Sequence, residues 1–109
     1  MSEINKKKIE NSLGLAKRAG AVISGTELVV RSIQKKKAVH VFISADASEG
    51  TVKKLCDKAA FYQVPATKTE LSMSDLGKCV GLMRPTAAVS LTNKSFLGLF
   101  DLESTEVHV

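Results

Sequence analysis

The residues in this chain best suited to a chemical task stand together in Ile23-Ser24-Gly25-Thr26-Glu27-Leu28-Val29-Val30-Arg31, followed by Lys35-Lys36-Lys37. The chemistry they suit is the holding of an anion. A helix beginning after Gly25 presents unpaired N–H groups and a partial positive charge at its start, which favours phosphate. Arg31 lies a little over one turn farther on and adds a planar fork of donors matched to phosphate oxygens. Gly25 supplies the backbone angles of a sharp strand-to-helix turn, and Thr26 is expected to cap the amides after it. Val29, Val30 and Ile33 share one side of this helix, while Glu27, Leu28, Arg31 and Lys35 fall on the other. That second side is the one expected to touch a partner. Lys35, Lys36 and Lys37 have two open readings, a contribution to the anion site or a favourable local placement at a helix C-terminus.

A second candidate is the connection Leu82-Met83-Arg84-Pro85. Two apolar side chains and an arginine on an exposed loop suit packing on unstacked bases, and the alternative is that Leu82 and Met83 fold back onto the core. Catalytic and metal constellations are weak by comparison. Cys56 and Cys79 match no zinc spacing and read as free thiols in helices. His40 has no partner at ligand or catalytic spacing and reads as structural. There is no phosphate-cradling Walker pattern and no carboxylate pair flanking an expected cleft. We therefore expect no catalysis, no cofactor and no metal.

These residues need elements to position them. The spacing predicts an amphipathic helix over 5–18, capped by Asn5, with Lys6, Lys7 and Lys8 in its first turn as a solvated end or a phosphate clamp, and closed by Ala19-Gly20. A short strand, Ala21-Val22-Ile23, then leads into the helix bearing Arg31. The apolar, β-branched run over 38–44 reads as the central strand, covered on both faces. Asp46 and Ser48 are expected to cap the next helix, Glu49 to Tyr62, which buries Val52, Leu55, Ala59 and Tyr62. Val64-Pro65-Ala66-Thr67 is a short strand that Pro65 places at an edge. Ser72-Met73-Ser74-Asp75 resembles a capping box opening a short helix ended by Gly81, and Gly77 within it implies close approach of another backbone. A buried strand over 86–91 and a helix capped by Asn93 complete the chain. The alternation of helices and strands predicts a three-layer α/β/α sandwich around a four-stranded mixed sheet. We expect one domain over 1–102 and an acidic tail over 103–109.

Charge points to the kind of partner. Sixteen Lys and Arg stand against eleven Asp and Glu, and three of the acids, Asp101, Glu103 and Glu106, fall in the last nine residues. Residues 1–100 thus set sixteen bases against eight acids, a formal +8. A compact basic domain of this kind suits a polyanion, although charge alone fits other basic proteins as well. No apolar run approaches membrane-spanning length and the lysine-rich start has no apolar signal core, which predicts a cytoplasmic protein without membrane contact.

Taken together, Asn11-Ser12-Leu13-Gly14-Leu15-Ala16-Lys17-Arg18-Ala19-Gly20, Ser24-Gly25-Thr26-Glu27, Ala45-Asp46-Ala47-Ser48, Val64-Pro65 and Leu76-Gly77-Lys78-Cys79-Val80-Gly81 form a pattern that resembles the bacterial YlxQ-type proteins. These belong to the kink-turn RNA-binding superfamily that includes the archaeal ribosomal protein seven-Ae and the eukaryotic thirty-e protein. The resemblance covers nearly the whole chain. It implies an α/β/α sandwich, no catalysis, and binding of sharply bent RNA with sheared G·A pairs beside a bulge. It also implies that Gly25 is the glycine of the RNA-facing turn, Arg31 the basic residue one turn later, and Leu82 to Pro85 the loop that meets flipped-out bases. Two positions depart from the pattern: Glu27, where many members carry Asn or Lys, and Leu28, where many carry Glu or Gln to bond a guanine. A leucine forms no such bond.

The first expectation is therefore a monomeric, non-catalytic protein binding ribosomal or other structured RNA through Gly25, Thr26, Glu27, Leu28, Arg31, Lys35, Lys36, Leu82, Met83, Arg84 and Pro85. The alternative is a protein-interaction module of the same fold, with Leu28 at its contact patch.

Overall fold

A computed structural model describes residues 2–100, with side chains from Lys6 onward. The expected acidic tail over 103–109 lies outside the described residues. In chain order the elements are α1 (Ser2–Arg18), β1 (Val22–Ser24), α2 (Thr26–Gln34), β2 (His40–Ile43), α3 (Glu49–Phe61), β3 (Ala66–Lys68), α4 (Met73–Cys79), β4 (Ala88–Leu91) and a 3-10 helix at Lys94–Phe100. The sheet order is β1-β4-β2-β3. β4 runs antiparallel to both β1 and β2, and β3 runs parallel to β2. The expected mixed four-stranded sheet in a three-layer sandwich is what the chain forms.

Alternation along the strands divides the core in two. Val41, Ile43 and Ala88 pack with Val29, Val30 and Ile33 of α2 and with Leu55 and Ala59 of α3. Phe42, Val89 and Leu91 face the other way, onto Leu13 and Ala16 of α1, Leu76 of α4, Val80 just beyond it, and Phe100. Every residue of β2 and β4 is buried, as expected for strands covered on both faces. Ser32, Ser90, His40 and Thr67, polar residues caught in these layers, find partners in one another. Ser32 Oγ lies 3.0 Å from Ser90 Oγ and donates to the Val29 carbonyl at 2.7 Å. The buried His40 ring shares a 2.8 Å hydrogen bond with Thr67 Oγ1, and burial lowers its pKa to about 4, so the ring is neutral.

The four α-helices among the described residues all end in one way. The residue after the cap turns left-handed, and the next amide reaches back five residues, as in Ala21 to Ala16, Lys37 to Ser32, Val64 to Ala59 and Leu82 to Gly77. Gly20 and Gly81 take that position at φ 75° and 76°, and Lys36 and Gln63 take it at 61° and 62° without glycine's freedom.

Several boundaries differ from expectation. α1 begins at Ser2, so Asn5 does not start it and the three lysines are not in its first turn. Lys6 lies 3.6 Å from Asp75 of α4. β3 starts at Ala66, two residues later than expected, because Pro65 has no N–H to give and joins the ladder only through its carbonyl, which accepts from Val41 at 2.9 Å. Ser48 caps α3, accepting from Thr51 N at 3.2 Å. Asp46 instead accepts from Met73 N at 2.9 Å, serving α4 and not the helix that follows it in sequence. Ser72 caps α4 by accepting from Asp75 N at 3.0 Å. Asn93 accepts from Ser95 N at 3.0 Å, and the segment it opens is 3-10, with Phe96, Leu97 and Leu99 laid against the core. No described helix is long and apolar enough to cross a membrane.

Candidate nucleic-acid interface

The ends of β1, β2 and β3 and the start of β4 meet at one edge of the sheet, and the turn at Gly25 is built there. Gly25 sits at φ 100°, ψ 134°, a conformation that side-chain-bearing residues rarely adopt. Its amide donates to the Ala88 carbonyl at 3.0 Å and to Thr86 Oγ1 at 3.1 Å. This corrects one expectation, since the Gly25 N–H is engaged within the fold and does not face a ligand. Thr26 is also not the cap: it is the first helical residue, and no side chain caps α2. The amides of Thr26, Glu27 and Leu28 are then the ones the helix leaves without a carbonyl, because the first bond of α2 runs from Val29 N to the Gly25 carbonyl at 2.8 Å.

The outer side of α2 is as the spacing predicts, with Glu27, Leu28, Arg31 and Lys35 all exposed. Leu28 is 54% exposed, a large apolar side chain left in water. Glu27 and Arg31 are four residues apart, yet among the described residues Arg31 forms no ion pair. Leu28, Arg31 and Lys35 line a shallow depression of about 220 Å³ with Ile23, Ser32 and Lys37. A second depression on the other side of Arg31 holds Glu27, Val30, Gln34 and Lys54 of α3. Lys54 was not expected at the site, since periodicity assigns it to a solvated face and does not say which helix lies beside that face. Lys35 and Lys36 lie at the far end of α2, about 13 Å along the axis from Thr26, so the structure does not bring them to the turn.

The loop from Leu82 to Pro85 is fixed at both ends. Leu82 donates its amide to the Gly77 carbonyl at 2.9 Å and packs its side chain on the core, so of the two apolar residues only Met83 is presented outward. Met83 is 101% exposed, and Arg84 and Pro85 are exposed beside it. Thr86 then donates to the Met73 carbonyl at 3.0 Å while its hydroxyl holds Gly25, so one residue ties the loop to the α2 turn. Nothing in the sequence around Thr86 signals that link. Gly77 does carry its signal, because a Cβ there would collide with the Arg84 carbonyl oxygen and lie 3.2 Å from Arg84 C and 3.3 Å from Pro85 Cα.

Among the described residues no group of three or more His, Cys, Asp or Glu is placed to hold a metal. Cys56 and Cys79 are half-buried free thiols, and burial pushes the Cys79 pKa up to about 11, which keeps it a thiol.

Residues 7–98 match the Ribosomal protein L7Ae/L30e/S12e/Gadd45 family. The chain belongs to this family. Among its L7Ae-family relatives, the RNA-binding protein YlxQ of Enterococcus faecium is 38% identical over 96 residues, 88% of this chain and 90% of that protein. The RNA-binding protein YlxQ of Bacillus subtilis (strain 168) is 40% identical over 84 residues, 77% of this chain and 82% of that one. The structure is similar to that of a protein with unknown function from Bacillus halodurans C, at 31% identity and TM-score 0.74, covering 84% of this chain and 95% of that one. It also shares the fold of a Giardia lamblia 15.5kD RNA binding protein, at 19% identity and TM-score 0.78 over 92% of this chain and 84% of that one. The L7Ae-family and YlxQ likeness read from the segments between Asn11 and Gly81 is thus borne out.

Proposed function

We propose that this chain is a non-catalytic RNA-binding protein of the translation apparatus, ribosomal or ribosome-associated, that recognises folded, kink-turn-like RNA by shape. One observation carries the reading. At a single edge of the sheet, a positive-φ turn leaves the amides of Thr26, Glu27 and Leu28 without a helical carbonyl at the start of the helix whose outer side carries Arg31, which forms no ion pair among the described residues, and Thr86 ties to that turn the loop that presents Met83 and Arg84. Amides and a guanidinium suit phosphate oxygens, and an exposed apolar side chain suits an unstacked base. The names of the YlxQ relatives agree with this. Leu28 cannot bond a guanine edge, so recognition rests on backbone geometry and stacking more than on base hydrogen bonds. We place its action in the cytoplasm, as a monomer, with 1–102 as the binding domain.

The test is affinity for a kink-turn RNA and for a plain duplex of equal length, with wild type, Arg31→Ala and Lys94→Ala. Preference for the bent RNA, lost in Arg31→Ala and kept in Lys94→Ala, supports the reading, and equal loss in both variants removes the localised site. The exposure of Leu28 favours a second reading, a protein-interaction module. Salt-insensitive binding to a protein with no retention of RNA would establish it.

A further inference from the structure

On the outer face of α3, Lys54, Lys58 and Phe61 recur at four- and three-residue steps and so form one stripe. Phe61 is 78% exposed, and its ring meets Tyr62 edge-on with centroids 4.9 Å apart and planes at 75°. An aromatic face is thereby held in water at a set orientation. Both rings line a shallow depression together with Lys54, Asp57 and Lys58. Asp57, which also lines the depression, is paired at 3.2 Å with Lys53, so Lys53, Lys54 and Lys58 outnumber the one carboxylate among them and the stripe keeps a net positive charge. Lys54 also lines the depression beside Arg31. The cationic face of α2 and this stripe are therefore one surface.

We propose that α3 carries a second RNA contact, in which Phe61 stacks one unstacked nucleotide of a single strand running on from the RNA held at Arg31, with Lys54 and Lys58 holding the phosphates between. The inference rests on the RNA reading above. A π-face flanked by lysines is the pairing of groups that binds single strands without regard to sequence. Nothing in the helical pattern of α3 needs a phenylalanine at this position, since Leu55 and Ala59 make its buried face.

The chain has one tyrosine and no tryptophan, so its tyrosine emission reports this patch alone. The experiment titrates the full chain with a blunt-ended kink-turn RNA and with the same RNA carrying a short uridine single strand at either end. Binding about tenfold tighter to an extended RNA is expected from one stacked base, together with a change in Tyr62 emission that the blunt RNA does not cause. Phe61→Ala should remove the gain and leave affinity for the blunt RNA as it was, and Phe61→Tyr should keep the gain. Equal affinities for blunt and extended RNA with unchanged emission overturn the α3 contact and leave the Arg31 site standing. Failure to bind either RNA overturns both. A change of emission with protein concentration alone, abolished by Phe61→Ala, assigns the patch to a second copy of the chain and overturns the contact as well.

Discussion

His40 makes the fold sensitive to acid in a window that can be worked out. The ring is buried between Phe42, 4.8 Å away between centroids, and Thr67, and its pKa falls from 6.5 to about 4 because burial disfavours the charged form. A depressed histidine pKa means that the unfolded chain binds the proton more readily. The associated stability is present above pH 6.5 and is lost as the pH falls towards 4. At pH 5.5 the unfolded ring is about ten parts protonated to one, while the folded ring is almost wholly neutral, which costs roughly 1–2 kcal/mol; below pH 4 the loss levels off at about 3 kcal/mol. Urea unfolding followed by circular dichroism at pH 7.5 and 5.5 measures it, in wild type and in His40→Gln, whose amide still reaches Thr67 but does not titrate. His108→Gln controls for the other histidine. A wild type that loses under about 0.5 kcal/mol, or a His40→Gln variant that loses as much as wild type, refutes the reasoning.

Gly77→Ala gains about 1 kcal/mol of helix propensity but drives a methyl into the Arg84 carbonyl, at a cost of about 1–3 kcal/mol. A lower melting temperature and weaker RNA binding are expected together, because the displaced loop carries Met83, and unchanged binding would separate loop from site. Ser44 Oγ is fully buried without a partner among the described residues, so Ser44→Ala should stabilise the fold by about 1 kcal/mol in urea unfolding. A loss of similar size would show the hydroxyl to be satisfied.

Local periodicity made much of this fold legible. Val29, Val30 and Ile33 announced the buried face of α2, the run over 38–44 announced a doubly covered strand, and Gly77 inside a helical pattern announced a close backbone. What stayed hidden depends on contacts between distant segments. The hydrogen bonds of Gly25 to Ala88 and Thr86, of Asp46 to Met73 and of Ser32 to Ser90 join residues whose separation in sequence leaves no periodic trace. The same holds for the site. The outward side of α2 could be read from spacing, but the engagement of the Gly25 amide, the inward turn of Leu82 and the approach of Lys54 to Arg31 all follow from packing.

The central claim is that α2 seats phosphate through its open first-turn amides and Arg31. Salt dependence of kink-turn RNA affinity tests it most directly, in wild type and Arg31→Ala. With about five phosphates neutralised, the log–log slope should be roughly −4, and removal of the guanidinium should weaken binding and reduce the slope by about one. An Arg31→Ala protein with the wild-type affinity and the wild-type slope would contradict the account.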